Sequence, residues 1–162
     1  MKTYKVIGFC FYALVYSFLL YSCSDPVLTP SDISVEELLS APEIVSFENQ
    51  SLKLETTLYL NLQPIVSKNP MVTLISLQTI DSSVILSNIK AKAVYVVKDG
   101  EVWKSFFSSD KRTETEPFKI SEVAREGPNW GPNIYVDVIV MFELNNKNYL
   151  IKASNQFIDA VY

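Results

Sequence analysis

Two segments of this chain alternate apolar and polar residues with a period of two. In the first, leucines share the even positions and polar residues lie between them: Leu52, Leu54, Leu58, Leu60 and Leu62. The second repeats the pattern with Ile134, Val136, Val138, Val140, Phe142 and Leu144. A helix would scatter these side chains around its circumference, whereas a strand places them all on one face. The pattern therefore predicts β-strands with one buried face.

Further apolar, β-branched stretches predict more strands, at residues 71–79, 83–89, 91–97 and 102–107. Asp99-Gly100 separates the last two and predicts a tight hairpin turn, because both residues readily take positive φ angles. Asn145-Asn146 turns the long second strand back into residues 149–153, and residues 156–162 close the chain. About seven strands are expected.

No amphipathic helix is long enough to connect parallel strands, so we expect an all-β fold, an antiparallel Ig-like β-sandwich. A partly closed β-barrel is the alternative. Residues 34–40 predict one helical turn, with Ser34 as its N-cap and Pro42 beyond its end.

The first 22 residues differ from the rest of the chain. Lys2 and Lys5 precede an uncharged, strongly apolar run over residues 6–22, which is typical of an export signal. The run is also just long enough for a transmembrane anchor, which is the alternative interpretation.

The end of this run reads Leu20-Tyr21-Ser22-Cys23. This motif resembles the lipobox of bacterial lipoproteins: an aliphatic residue, a tolerant position, a small residue and cysteine. The resemblance implies that the signal is cleaved before Cys23 and that Cys23 carries lipid. Each buried acyl methylene contributes about 0.8 kcal/mol, so two or three chains would hold a domain on a membrane.

The resulting organisation is a signal peptide (1–22), a lipidated cysteine with a flexible Pro- and Ser-rich tether (23–47) and a β-domain (48–162). It resembles that of small Ig-like lipoproteins of Bacteroidetes. Ser24 would be the second residue of the mature protein, and the resemblance implies that a serine there permits transfer to the outer membrane. We therefore expect an outer-membrane anchor, with the domain facing the periplasm or the cell surface.

Charge and composition exclude several functions. The signal holds two of the 14 basic residues and none of the 18 acidic residues, which leaves 12 against 18, a net charge of −6. A nucleic-acid partner is not expected, because phosphates attract the opposite charge. The chain has no histidine and only four glycines, so histidine-dependent catalysis, histidine zinc sites and phosphate-binding loops are excluded. We expect no cofactor and no metal.

Carboxylate chemistry is what remains for an enzyme, as in glycan hydrolases that use two acids. The candidates are Glu114, Glu116, Glu122, Glu126 and Asp137. Most belong to a charged stretch, residues 108–126, which is more simply interpreted as a solvated loop. Asp137 is expected to face solvent.

The most unusual segment is residues 127–133, which read Gly-Pro-Asn-Trp-Gly-Pro-Asn. Two Gly-Pro steps stiffen it around Trp130. We take Trp130, Asn129 and Asn133 as candidate binding residues, with the indole as a stacking platform or anchor. The other interpretation is that Trp130 plugs the end of the sandwich, and core packing is favoured for Trp103 as well.

Two function classes follow. The first is a non-catalytic binding or structural module of the cell envelope that contacts protein or glycan. The second is a carboxylate-dependent glycan hydrolase. An exposed aromatic cluster would favour glycan binding, whereas two carboxyl groups facing each other across a cleft would favour the enzyme.

Overall fold

The computed structural model describes residues 33–47, 49–63, 70–107 and 116–162. Within these ranges the chain is nearly all β, which confirms the predicted fold class. One short helix, α1 (Val35–Leu39), is followed by eight strands: β1 (Ile44–Phe47), β2 (Gln50–Asn61), β3 (Met71–Thr79), β4 (Lys90–Lys98), β5 (Glu101–Phe106), β6 (Lys119–Gly127), β7 (Ile134–Leu144) and β8 (Lys147–Val161).

The strands form one sheet in the order β5-β4-β7-β8-β2-β3-β6, with β1 paired to β2. Strand β6, at one end of this order, lies near β4 and β5 at the other end. The sheet is therefore curled, consistent with a sandwich or a partly closed barrel. All neighbours are antiparallel except β2 and β8, which run parallel where Leu58 pairs with Ile158.

The concave side of the curled sheet, called here the inner face, holds the main core. The alternating residues of β2 and β7 point into it as predicted: Leu58 and Leu60 are 2% and 0% exposed, and Val138 and Val140 are both 0% exposed. They pack with buried residues of β3, β4, β6 and β8 in one cluster. Burial of apolar area in this cluster supplies the main driving force for folding.

The convex side, called the outer face, is covered over part of its area by α1. Ser34 caps this helix as predicted, since its Oγ accepts a hydrogen bond from Glu37 N at 3.2 Å. Leu38 is fully buried and packs in a second core with Tyr95 of β4 and Ile139 of β7. The helix and β1 belong to residues 33–47, which the sequence assigns to the end of the tether.

The two predicted hairpin turns are confirmed, whereas one of the predicted strands is absent. Asp99 and Gly100 have φ angles of 48° and 88°, and Asn145 and Asn146 have 51° and 60°. Residues 83–89, however, are not a strand. One local and one long-range hydrogen bond hold them instead: Thr79 Oγ1 donates to Ser83 O at 2.7 Å, and Ile85 N donates to Pro117 O at 2.8 Å.

The prediction of a solvated loop over residues 108–126 is wrong for its second half. Lys119–Gly127 forms β6, which pairs with β3. Ile120 and Ala124 point into the core, and Glu122 between them is only 8% exposed. The charged composition hides this strand, because the inward position in its middle is a glutamate.

The last strand is longer than predicted. Residues 149–153 and 156–162 were expected as separate segments, but β8 runs continuously through both. Asn155, with a φ of 53°, absorbs the irregularity between them, where the register between β7 and β8 shifts. This shift decides which side chains of β8 face outward.

Candidate functional site

The segment of residues 127–133 is a stiff turn between β6 and β7. Trp130 N donates to Pro128 O at 3.1 Å, and Gly131 N donates to Asn129 Oδ1 at 3.2 Å. Gly131 has a φ of 89°, a conformation that costs other residues energy. The Asn129 side chain thus shapes the turn.

The predicted binding residues of this turn occupy different environments. Trp130 is partly buried and packs against the main core, as does Trp103 on β5. Asn129 and Asn133 are exposed. Asn133 N donates to Ile158 O at 2.8 Å, which fixes the turn to β8 at the point where β7 begins.

Two aromatic side chains stand on the outer face directly beyond this turn. Tyr135 of β7 and Phe157 of β8 are opposite each other in the ladder. Their ring centroids are 5.4 Å apart and their planes are inclined by 56°. Tyr135 is 65% exposed and Phe157 is 43% exposed. Large aromatic groups are usually packed, so an exposed pair indicates a contact surface.

Polar residues lie on both sides of the ring pair along the strands. On one side is Asp137, whose Oδ1 accepts a hydrogen bond from Asn155 N at 2.9 Å. On the other side is Asp159, whose Oδ1 accepts from Ala160 N at 2.8 Å, with Asn133 nearby, just before β7, where its N donates to Ile158 O. Because a carboxylate has two oxygens and about four lone-pair sites, each aspartate can accept further hydrogen bonds.

The apolar surface continues across the neighbouring strands. Phe157 lies next to Thr57 of β2, and Thr57 lies opposite Leu74 of β3. Leu74 is 37% exposed and Val72 beside it is 6% exposed. The ring pair therefore stands at one end of an open, mainly apolar strip. We call the surface formed by Tyr135, Phe157, the two flanking aspartates and this strip the β7–β8 platform.

The carboxylates proposed for an enzyme are not brought together. Glu122 faces the inner core, whereas Asp137 lies on the outer face. Glu126 is at the irregular end of β6 with a φ of 65°, and Glu116 pairs with Lys119. Glu114 lies outside the described residues, as does Cys23.

Sequence reasoning missed the aromatic pair, although half of it was visible. The strict alternation of β7 buries Val136, so Tyr135 must face outward. Phe157 could not be placed in the same way, because the irregularity at Asn155 changes the alternation along β8.

Comparisons with known proteins give no relative for this chain: no family model matches it, and no curated protein or solved structure is significantly similar. In the part of the chain that the structure describes, no helix is long and apolar enough to cross a membrane. Nor do these residues contain three or more His, Cys, Asp or Glu side chains grouped to hold a metal ion.

Proposed function

We propose that this protein is a lipid-anchored, non-catalytic binding module of the cell envelope, attached through Cys23 to the outer membrane. The single observation that carries the binding role is the exposed Tyr135–Phe157 pair on the outer face. The Leu20-Tyr21-Ser22-Cys23 motif supports the anchor. A module of this kind holds its ligand near the membrane by non-covalent contacts, while the lipid holds the module.

The arrangement of acidic residues favours binding over hydrolysis. Glycan hydrolases place two carboxyl groups about 5 to 9.5 Å apart. Asp137 on β7 lies level with Asn155 on β8. Asn155 is four residues from Asp159 along β8, so the two aspartates are roughly 13 Å apart along the strands. The two carboxylates of the platform, half-buried Asp137 and exposed Asp159, are thus too far apart for a shared catalytic step.

The anchor is tested by metabolic labelling with a fatty-acid analogue. Cells that produce the full-length protein should incorporate the label into the wild type and not into Cys23→Ala, because the thiol is the lipid acceptor. Cys10→Ala is the matched control, since this second cysteine lies within the signal, and it should label like the wild type. Equal labelling of Cys23→Ala would contradict the proposal.

A further inference from the structure

The outer face of the sheet has two halves with different surfaces. Over β4 and β7 it is covered by α1, whose Leu38 is fully buried in the second core. Over β8, β2 and β3 the described residues leave Phe157, Thr57 and Leu74 exposed in a row. An apolar surface that these described residues leave uncovered beside two exposed rings is suited to a ligand.

The rings select for a ligand with apolar faces. The ring planes of Tyr135 and Phe157 are inclined by 56° and their centroids are 5.4 Å apart, so the two rings form a shallow, angled binding surface. The backbone that carries them is fixed, because the flanking Val136 and Ile158 are 3% and 0% exposed and pack in the core. A preorganised binding surface loses little conformational freedom when a planar or ring-shaped group stacks on it.

The groups around the rings select for a neutral ligand rich in hydroxyls. Asp137 and Asp159 lie at opposite ends of the ring pair, and each has one oxygen fixed by a backbone N–H. Their remaining lone pairs accept hydrogen bonds from hydroxyl donors. The exposed side chains of Asn133 and Asn155 lie at the same two ends and can donate as well as accept.

The same two carboxylates argue against other classes of ligand. They repel phosphates, uronic acids and anionic lipid headgroups. An apolar protein surface would have to desolvate both of them without a partner, which is costly. Two copies of this chain meeting at this face would bring four carboxylates together.

We infer that the β7–β8 platform binds a neutral polysaccharide, whose sugar rings stack on Tyr135 and Phe157 while their hydroxyls bind Asp137 and Asp159. This inference rests on the proposed binding function and specifies its ligand. The spacing of the two aspartates along the strands, roughly 13 Å, suits an extended chain of sugars that runs parallel to β7.

The test is affinity electrophoresis of the full-length, detergent-solubilised protein in gels that contain one polysaccharide each. The neutral probes are starch, xylan, mannan and hydroxyethyl cellulose, and the acidic probes are polygalacturonate and alginate. At least one neutral polysaccharide should retard the wild type, and neither acidic one should. Tyr135→Ala and Phe157→Ala should each weaken retardation roughly tenfold, the usual effect of removing a stacking ring.

Phe106→Ala is the matched control. Phe106 is 66% exposed on β5, nearly the same as Tyr135, but it lies two strands away from β7 in the sheet and is not part of the platform. This variant should bind like the wild type, and Tyr135→Phe should also bind because the ring is retained. Melting curves of all variants confirm that each protein is folded.

Three results would overturn the inference: no retardation by any neutral polysaccharide, equal retardation of wild type and Tyr135→Ala, or an equal loss in Phe106→Ala. Fatty-acid labelling of the same preparation separates the two proposals. If the protein is labelled but binds no polysaccharide, only the proposed ligand is refuted. If it is unlabelled but binds polysaccharide, only the proposed lipid anchor is refuted.

Discussion

Gly127 on β6 lies directly opposite Met71 on β3, and Met71 occupies the space that a side chain on residue 127 would need. A Cβ atom on residue 127 would be 2.9 Å from both Cβ and Cε of Met71. The contact fixes the end of β6, from which the chain enters the turn that carries Trp130. The position of this turn, and of β7 after it, therefore depends on a glycine.

Gly127→Ala should lower the free energy of unfolding by about 1 to 3 kcal/mol, the usual cost of overpacking. Chemical denaturation measures this change. Gly131→Ala is the control for backbone strain alone, because a Cβ there would meet nothing within 4 Å while φ is 89°. It should cost about 1 to 2 kcal/mol. A Gly127→Ala protein as stable as the wild type would mean that the two strands are not in this contact.

Trp130→Ala should lower stability and leave ligand binding intact. The indole packs against the main core, so its removal should cost about 2 to 4 kcal/mol, less than for a fully buried tryptophan. Tyr135→Ala should leave stability nearly unchanged and weaken ligand binding, because its ring is 65% exposed. Thermal melting and polysaccharide retardation of both variants test this. If Trp130→Ala kept its melting temperature and lost binding, the indole would be the ligand contact instead.

Val138→Asp should prevent folding of the protein. Val138 is 0% exposed in the main core, and an unpaired charge there costs several kcal/mol against a total stability of about 5 to 15. Val84→Asp is the matched control, because Val84 is 70% exposed. Far-ultraviolet circular dichroism should keep its β-signal for Val84→Asp and lose it for Val138→Asp. Retention of the signal by both would mean that β7 has been assigned the wrong buried face.

Lys152→Met should loosen α1 from the sheet. Lys152 Nζ donates to Leu39 O at the end of the helix, and this side-chain bond is lost in the variant, whereas the backbone bond from Lys152 N to Pro42 O at 2.9 Å is kept. A cation at this end also interacts favourably with the helix dipole. Hydrogen exchange at the Leu38 amide should become about tenfold faster, since the lost interactions contribute about 1 to 2 kcal/mol.

The control for this variant is Lys53→Met. Lys53 is an exposed partner of Glu55 at 2.7 Å, and such surface pairs contribute about 0 to 1 kcal/mol. Exchange at Leu38 should not change in it. Equal acceleration in both variants would point to a general loss of stability and not to the helix contact.

Sequence periodicity predicted the strands whose alternation is regular. Leu58 and Val138 could be assigned to the core because every second residue near them is apolar. The same rule failed for β6, where Glu122 occupies an inward position, and for residues 83–89, where Ile85 is buried without belonging to a strand. Burial alone is not a sign of strand structure.

The platform was only partly predictable. Asn133 and Asp137 were recognised as notable residues, but for separate reasons. What joins them with Phe157 and Asp159 is the pairing of β7 with β8, a long-range register that no local pattern specifies. The irregularity at Asn155 then decides that Phe157 and Asp159 face outward.

The most direct measurement is mass spectrometry of the N-terminal peptide from the mature protein, purified from membranes of cells that produce the full chain. We predict a peptide that begins at Cys23 and carries the mass of an attached diacylglycerol, as the proposed lipid anchor requires. A mature chain that retains residues 1–22, or one that begins at an unmodified Cys23, would contradict it.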